Sequence, residues 1–275
     1  AQAMDLGLVA PDTMVDIRGP LKKNGFTIRD GHDNGDKLSV SDIIIKSSNV
    51  GTALLAQQIG VERQKQFFKD FGFFKKTALE MVEASGGKPL LPHKWTELSA
   101  MTISYGYGLA VSPVHLASAY ATLANGGYKV TPTLLRKKQT VLGRRLVSEP
   151  VTEAAIEMLR RVVTEGTAKL YGEVPGYAVA GKTGTSDKRK INGTGYHKDR
   201  VLASFAAVFP AYDPKYVLVV SLDEPVETVG LKPRRSASLT AVPVAAEIIG
   251  RVAPLLGLRP QFEPEVLNNL ELTAN

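Results

Sequence analysis

The sequence has no cysteine among its 275 residues. This absence excludes disulfide bonds, thiolate metal sites and a cysteine nucleophile. It suits a bacterial envelope compartment, where free thiols oxidise, but many cytosolic proteins also lack cysteine. The absence therefore narrows the chemistry of the protein more than its location.

Long apolar runs are also missing. The longest candidate is the stretch 217–220 (Val-Leu-Val-Val), far short of the ~20 apolar residues that a membrane-spanning helix needs. No charged region followed by an apolar core opens the sequence, so no secretory leader is predicted. We therefore expect a soluble domain that belongs to a longer, membrane-anchored parent.

Histidine is scarce and scattered, which argues against a metal site. The four histidines show no metal-ligand spacing, and they are His32, His93, His115 and His197. We therefore predict no metal site and no cofactor.

Basic residues outnumber acidic ones and give a formal net charge of +7. They form small clusters that are scattered along the chain, at 22–23, 136–138, 144–145, 188–190 and 234–235. Solvated loops explain such clusters best, and attraction to a phospholipid surface or an acidic wall polymer is the sharper alternative. No helix-turn-helix or aromatic RNA-binding signature accompanies them, so no nucleic-acid partner is expected.

The order of the predicted elements indicates an α+β fold. Capping residues and helical spacing of apolar residues predict helices near 40–46, 50–59, 61–72, 113–125 and 151–165. Segments rich in β-branched and aromatic residues predict strands over 177–182, 201–209 and 216–222, before a last helix near 239–256. Helices followed by adjacent strands favour a mainly antiparallel sheet, because a doubly wound fold would alternate the two.

The most informative segment is 181–185, which reads Gly-Lys-Thr-Gly-Thr. A lysine on a strand provides a cation at a cleft, threonines provide hydroxyl groups, and a glycine lets a substrate approach the backbone. This combination suits a ligand that ends in a carboxylate. Such a short match is often accidental, and a plain turn at the end of a strand is the alternative.

The same segment also fits the phosphate-loop pattern over 176–183, letter for letter. A phosphate loop needs an apolar strand before its first glycine and a helix that begins at its lysine. Here 172–175 (Gly-Glu-Val-Pro) comes before the pattern and the polar run 184–190 follows its lysine. We therefore expect a strand, and not a nucleotide-binding loop.

A second short motif, Ser-Ser-Asn, lies at 47–49, between two predicted helices. Serine and asparagine are common helix caps, so this motif alone is a weak signal. Lys-Thr-Gly and Ser-x-Asn are, however, two of the three active-site elements of penicillin-binding proteins and serine β-lactamases. The third element, Ser-x-x-Lys, carries the nucleophile.

Four segments together resemble the transpeptidase domain of class B penicillin-binding proteins, most of all the septal cell-division type. They are 46–51 (Lys-Ser-Ser-Asn-Val-Gly), 105–109 (Tyr-Gly-Tyr-Gly-Leu), 166–168 (Gly-Thr-Ala) and 182–185 (Lys-Thr-Gly-Thr). The resemblance implies a transpeptidase domain over 1–260, truncated at its N-terminus, and a C-terminal tail over 261–275. It also implies a mainly antiparallel five-stranded sheet flanked by helices, with the active site between the sheet edge and a helical subdomain.

By the same resemblance the parent is a serine-type D,D-transpeptidase that cross-links peptidoglycan stem peptides through an acyl-enzyme. Ser47 would pass a proton toward the leaving group, and Asn49 would bind the substrate amide. Lys182 would supply positive charge and orient Ser47. The residues that would bind the rest of the substrate, including the terminal carboxylate that β-lactams mimic, are Thr183, Gly184, Thr185 and Tyr107. The backbone N–H of Thr185 would also be an oxyanion donor.

The resemblance further implies a location and a set of partners. The domain would lie in the periplasm, on a protein anchored in the inner membrane at the division septum. Its partners would be stem peptides that end in D-Ala-D-Ala, β-lactam antibiotics and, for the parent, membrane proteins of the division machinery.

The sequence departs from the family at the nucleophile. In that family Ser-x-x-Lys precedes Ser-x-Asn by more residues than this chain has ahead of Ser47, so its expected position falls before Ala1. The one literal match, 85–88 (Ser-Gly-Gly-Lys), follows Ser-x-Asn, and its glycine pair would break the required helix. We therefore expect the chain to lack the nucleophile and to be inactive alone.

Two alternatives stay open at this point. One is a serine β-lactamase or a D,D-carboxypeptidase relative, although the class A β-lactamase pattern has Asp where this chain has Ser48. The other, of a different class, is a non-catalytic binding fragment.

Overall fold

The structure is a computed structural model that describes residues 1–139, 141–190, 195–229 and 232–261. Its helices are Gln2–Asp5 (α1), Val40–Ile45 (α2), Asn49–Ile59 (α3), Val61–Asp70 (α4), Glu97–Ser104 (α5), Pro113–Ala124 (α6), Glu149–Thr164 (α7) and Ala241–Leu255 (α8). Its strands are Met14–Asp16 (β1), Leu21–Lys23 (β2), Phe26–Ile28 (β3), Lys37–Ser39 (β4), Ala180–Arg189 (β5), Tyr196–Phe209 (β6) and Tyr216–Asp223 (β7). Short 3-10 helices cover Glu83–Gly86 and Ala237–Leu239.

The main sheet is antiparallel, with strands in the order β5-β6-β7. The strands β1 and β4 form one separate antiparallel pair, and β2 and β3 form another. The predicted α+β class with an antiparallel sheet is confirmed. Within the described residues this sheet has three strands, whereas the family resemblance implied five.

Strand β5 is longer than predicted. The strand was predicted over 177–182 but covers Ala180–Arg189, so it begins three residues later than expected and continues through the polar run, where pairing with β6 has a bulge between Asp187 and Arg189. A strand is held by backbone hydrogen bonds, so polar side chains on its exposed end do not stop it. The Lys188 ammonium also bonds the carboxylate of Glu224 at 2.7 Å, which ties this end of β5 to the chain just after β7.

The sheet is covered on one face by α8, which is apolar and follows the strands in sequence. Val242 and Ile249 of this helix are fully buried against the sheet, where Phe205 and Val179 belong to the same cluster. Helix α7 joins this cluster through Val162. A second cluster, around Ile43, Ala53 and Met101, holds α2, α3 and α5 together. These two cores fix the sheet and the helical part as the two sides of one cleft.

Helix α5 was not predicted. It is only 8 residues long, and Ser99, Thr102 and Ser104 weaken the apolar pattern from which a helix is recognised. Its stability comes from the Thr96 cap, whose hydroxyl accepts from Ser99 N at 3.1 Å, and from the burial of Met101 against α3. Tertiary packing therefore outweighs weak local preference here.

Two other expectations concern membrane-spanning helices and the C-terminal tail. Within the described residues, no helix is both long and apolar enough to cross a membrane. Of the predicted tail over 261–275, only Gln261 is described, and its N–H donates to Gly176 O at 2.8 Å.

Gly181 of the lysine motif is required by packing in the sheet. A Cβ atom there would lie 2.5 Å from Phe205 Cζ and 2.8 Å from Ala206 O. We expect Gly181→Ala to lower the free energy of unfolding by ~1–3 kcal/mol, as overpacking of a core does. Gly184→Ala is the matched control in the same strand, because a Cβ there meets nothing within 4 Å. Urea unfolding of both variants checks this, and equal stabilities would contradict it.

Candidate active site

A cleft of about 740 Å³ lies between the edge of the sheet and the helical part. All of the site residues predicted from the sequence line it, namely Ser47, Asn49, Tyr107, Lys182, Thr183, Gly184 and Thr185. The structure therefore brings the two motifs together at one cleft. The roles of the individual residues stay predictions.

The two motifs meet in one hydrogen bond. Lys182 Nζ donates to Ser47 Oγ at 2.8 Å, which joins residues 135 positions apart, and to Thr183 O at 3.1 Å. Burial lowers the pKa of Lys182 to about 8, because an ammonium removed from water is disfavoured relative to the neutral amine. The lysine is thus charged at neutral pH but gives up its proton readily. Such a group can pass a proton to or from the serine hydroxyl.

Ser47 has an uncommon backbone conformation. Its φ is 59°, in the left-handed region that residues other than glycine adopt rarely. The chain here turns from α2 into α3, and Ser48 N donates to Ile43 O at 2.9 Å across the turn. Gly51 allows the two helices to meet, because a Cβ there would lie 2.5 Å from Ile43. The turn therefore projects Ser47 into the cleft while Ser48 is buried.

Asn49 is the first residue of α3 and lines the cleft. Its Nδ2 donates to Arg29 O at 3.0 Å. A side-chain amide has a second N–H and an oxygen acceptor. The bond to Arg29 therefore orients the amide and leaves it able to bind a peptide group.

The sheet edge supplies the opposite wall. Within the described sheet β5 is an edge strand, paired with β6 through its lysine motif. Thr183 Oγ1 lies 2.6 Å from Thr167 Oγ1, and Thr185 Oγ1 accepts from Ala237 N at 2.9 Å. These contacts fix both threonine hydroxyls, while Gly184 leaves the edge uncovered. The edge can therefore take an extended chain that ends in a carboxylate.

Two parts of this wall were not among the predicted site residues. Thr167 belongs to the Gly-Thr-Ala segment, which was a usable signal because that segment formed part of the family resemblance. Its neighbour Gly166 packs against α2, since a Cβ there would lie 2.5 Å from Ile45 O. Ser236 and Ser238 also line the cleft, with hydroxyls 3.0 Å apart. No pattern in the sequence distinguishes these two from ordinary turn residues.

Tyr107 connects the helical part to the sheet across one end of the cleft. Its hydroxyl accepts from Asp187 N at 3.3 Å, and its ring meets Tyr196 edge-on at 5.3 Å. Gly106 and Gly108 have φ values of 105° and 91°, which allow the tight turn that carries the ring. Burial raises the pKa of Tyr107, so its hydroxyl stays neutral. Tyr107 therefore forms a wall of the cleft.

The competing patterns do not fit the structure. Strand β5 runs through Lys182 without a break and no helix begins there, so this segment does not form a phosphate loop, although 177–179 lie outside the strand that was predicted to include them. The Ser-Gly-Gly-Lys match covers 85–88, and the short 3-10 helix that contains its serine ends at Gly86. Its serine and lysine therefore do not lie one turn apart on one helix. In the residues that the structure covers, no group of three or more His, Asp or Glu residues could hold a metal ion.

Comparison with known proteins identifies the family. Residues 1–250 match the family model of the penicillin binding protein transpeptidase domain. The probable peptidoglycan D,D-transpeptidase FtsI of Caulobacter vibrioides is 33% identical over 98% of this chain and 47% of its own length. The peptidoglycan D,D-transpeptidase FtsI of Escherichia coli K12 is 28% identical over 94% of this chain and 42% of its own. The chain thus spans less than half the length of these relatives.

Solved structures agree with this assignment. The transpeptidase domain of Burkholderia pseudomallei penicillin-binding protein 3 is 32% identical, with a TM-score of 0.85 over 95% of this chain and 78% of that one. Penicillin-binding protein 3 of Mycobacterium tuberculosis, in complex with ampicillin, is 26% identical, with a TM-score of 0.83 over 96% and 61%. The chain belongs to the family of penicillin-binding protein transpeptidase domains.

Proposed function

We propose that residues 1–260 form the transpeptidase domain of a septal peptidoglycan D,D-transpeptidase that also binds penicillins. The observation that carries the proposal is the bond between Lys182 Nζ and Ser47 Oγ, at 2.8 Å in a cleft bordered by Thr183 and Thr185. Two relatives named peptidoglycan D,D-transpeptidase, and a structural neighbour that holds ampicillin, support it.

The substrate in this proposal is a stem peptide that ends in D-Ala-D-Ala. It lies along the free edge of β5 as an added strand, a common way for a sheet to bind an extended peptide. Its terminal carboxylate accepts hydrogen bonds from the hydroxyls of Thr183 and Thr185 and is attracted by the positive charge of Lys182. Asn49 binds a backbone amide of the peptide from the helical side, and Tyr107 borders the far end.

The reaction has two steps. The hydroxyl oxygen of a serine attacks the carbonyl carbon between the two D-alanines, its proton passes to the lysine of the same Ser-x-x-Lys element, and the bond to the terminal D-alanine breaks. Ser47 delivers a proton to the leaving amine, while Lys182 holds Ser47 in place and replaces that proton. The amine of a second stem peptide then attacks the acyl-enzyme, a proton passes from that amine to the serine oxygen through the lysine of Ser-x-x-Lys, and the serine is freed as the cross-link forms.

The oxyanion of each step needs donors that are in place before the reaction. The backbone N–H of Thr185 is one such donor in this proposal, and the N–H of the attacking serine is the other. Loss of one oxyanion donor costs ~10²–10³ in rate. The attacking serine is expected on a Ser-x-x-Lys element ahead of Ala1, as the resemblance implies.

The location and partners follow from the same proposal. The domain faces the periplasm at the division septum, and its parent is anchored in the inner membrane beside other membrane proteins of the division machinery. Similarity to relatives named FtsI, among them that of Escherichia coli, supports this part.

The first test is covalent labelling by a fluorescent penicillin. We expect no labelling of this chain alone, because its one Ser-x-x-Lys match, at Ser85, follows Ser-x-Asn instead of preceding it. The parent protein, with the preceding Ser-x-x-Lys, should be labelled, and boiling in detergent before the reaction should abolish the label. Gel fluorescence and mass spectrometry of the labelled peptide check this. Attachment of the label to Ser85 would contradict the motif assignment.

The second test is the pH dependence of ligand binding. Because burial lowers the pKa of Lys182 to about 8, the amine is charged below pH 8 and neutral above it. We expect the affinity of this chain for a peptide ending in D-Ala-D-Ala to be constant from pH 6 to 7. Above pH 8 it should fall by up to ~10-fold per pH unit, since the carboxylate then loses its cation. NMR titrations across this range measure it.

Two lysine variants make that test specific. Lys182→Gln should bind more weakly than the unchanged chain at neutral pH and show no fall above pH 8. Lys169→Gln removes the same charge from an exposed position and should behave like the unchanged chain. A fall above pH 8 that persists in Lys182→Gln would refute this role for the lysine.

A further inference from the structure

A carboxylate behind the cleft wall holds the Ser-x-Asn turn from a distant part of the chain. Asp30 Oδ2 accepts from Ser48 Oγ at 2.7 Å, and Asp30 Oδ1 accepts from Val50 N at 2.9 Å. Asp30 follows β3 and lies 18 and 20 positions before these two partners. A carboxylate placed at the first N–H groups of a helix satisfies them and complements the helix dipole. Asp30 therefore caps α3 from outside.

The neighbours of Asp30 strengthen this arrangement. Asn34 Nδ2 donates to Asp30 Oδ2 at 3.0 Å, so the carboxylate is held from its own loop as well. Arg29 O accepts from Asn49 Nδ2 at 3.0 Å. The pair 29–30 therefore makes hydrogen bonds to three consecutive residues, 48–50, of which the middle one is a predicted substrate-binding amide.

Ser48 is the link between Asp30 and the reacting side of the turn. It is only 1% exposed, and its hydroxyl donates to Asp30 while it accepts from Gly51 N at 2.9 Å. A buried hydroxyl that loses such a partner costs free energy, so the turn is expected to shift until the hydroxyl finds another partner. The residue directly before it is Ser47, whose left-handed φ of 59° needs support from its surroundings.

We propose that Asp30 is a positioning residue of the active site, which acts through Ser48 and Val50 to aim Ser47 at Lys182 and Asn49 into the cleft. The inference rests on the proposed function and extends it to a residue outside both motifs. Asp30 itself does not line the cleft in the described part of the chain. It sets the geometry of groups that do, and it takes no part in proton transfer.

The test compares three variants of the full-length protein in acylation by a fluorescent penicillin. Asp30→Ala removes both hydrogen bonds, and we expect the acylation rate constant to fall ~100-fold, as for a reacting group displaced by about 1 Å. Asp30→Asn keeps an oxygen for Val50 N and should lose ~10-fold, the effect of one hydrogen bond. Non-covalent binding before acylation should weaken by less than about 10-fold, because only the contact of Asn49 is disturbed and the carboxylate site at β5 is untouched.

Asp33→Asn is the matched control, since it removes the same charge from the same loop. Its carboxylate accepts from the nearby Gly35 N at 2.9 Å, within the loop itself. We expect this variant to acylate within about 2-fold of the unchanged protein. Equal rates for Asp30→Asn, Asp30→Ala and Asp33→Asn would overturn the proposal.

A double-mutant cycle separates positioning through Ser48 from a general loss of stability. Ser48→Ala and Asp30→Ala remove opposite ends of one hydrogen bond, so their effects on the acylation rate should not multiply. We expect the double variant to be within about 3-fold of Asp30→Ala alone. Independent, multiplying effects would mean that Asp30 does not act through Ser48.

Failure of the proposed function is recognised separately. If the unchanged full-length protein forms no acyl-enzyme, the transpeptidase assignment fails, and the placement of Asp30 is then judged on this chain by hydrogen exchange. Asp30→Ala should speed exchange of the Val50 amide at least ~10-fold relative to Asp33→Asn. Equal exchange in the two variants would overturn the role of Asp30 whatever the enzyme does.

Discussion

The cleft depends on one contact, the hydrogen bond between a lysine of the sheet and a serine of the helical part. Neither residue makes this contact through local structure alone. Lys182 reaches it because β5 is fixed in register on β6, and Ser47 reaches it because its backbone is held in a left-handed turn. The low pKa of the lysine has a related origin, since its amine is partly buried in the cleft between the two walls. The packing of the sheet against the helices therefore determines both the Lys182–Ser47 contact and the pKa of the lysine.

Glycines mark places where neighbouring segments around the cleft pack closely against one another. Gly51 lets α3 meet α2, Gly166 lets the chain after α7 lie on the carbonyl of Ile45, and Gly181 lets β5 lie over Phe205. In each case a Cβ atom would lie about 2.5 Å from its neighbour, well inside van der Waals contact. Gly184 is different, because it faces open space. Close packing explains the first three glycines, and access for a ligand explains the fourth.

The sequence was sufficient to predict which motif residues line the cleft, but not the contacts that hold them there. Ser47, Asn49 and Lys182 could be predicted because their residue types and separation form a recognisable pattern. The contacts of Thr185 with Ala237 and of Ser48 with Asp30 could not be predicted. They join segments that are far apart in the chain and share no sequence pattern. The same reason explains the fold: strongly patterned helices were predicted, whereas α5 and the polar end of β5 depend on tertiary pairing.

The middle residue of Ser-Ser-Asn shows how such support restricts the sequence. Position 48 must give a hydrogen to Asp30 and receive one from Gly51 N, and a serine hydroxyl does both. An ionised aspartate there, as in the class A β-lactamase pattern, would accept from Gly51 N equally well. It could not donate to Asp30, and two carboxylates in contact would repel each other. The serine at this position is therefore a consequence of the aspartate behind it, so the motif and the loop at Asp30 form a single unit.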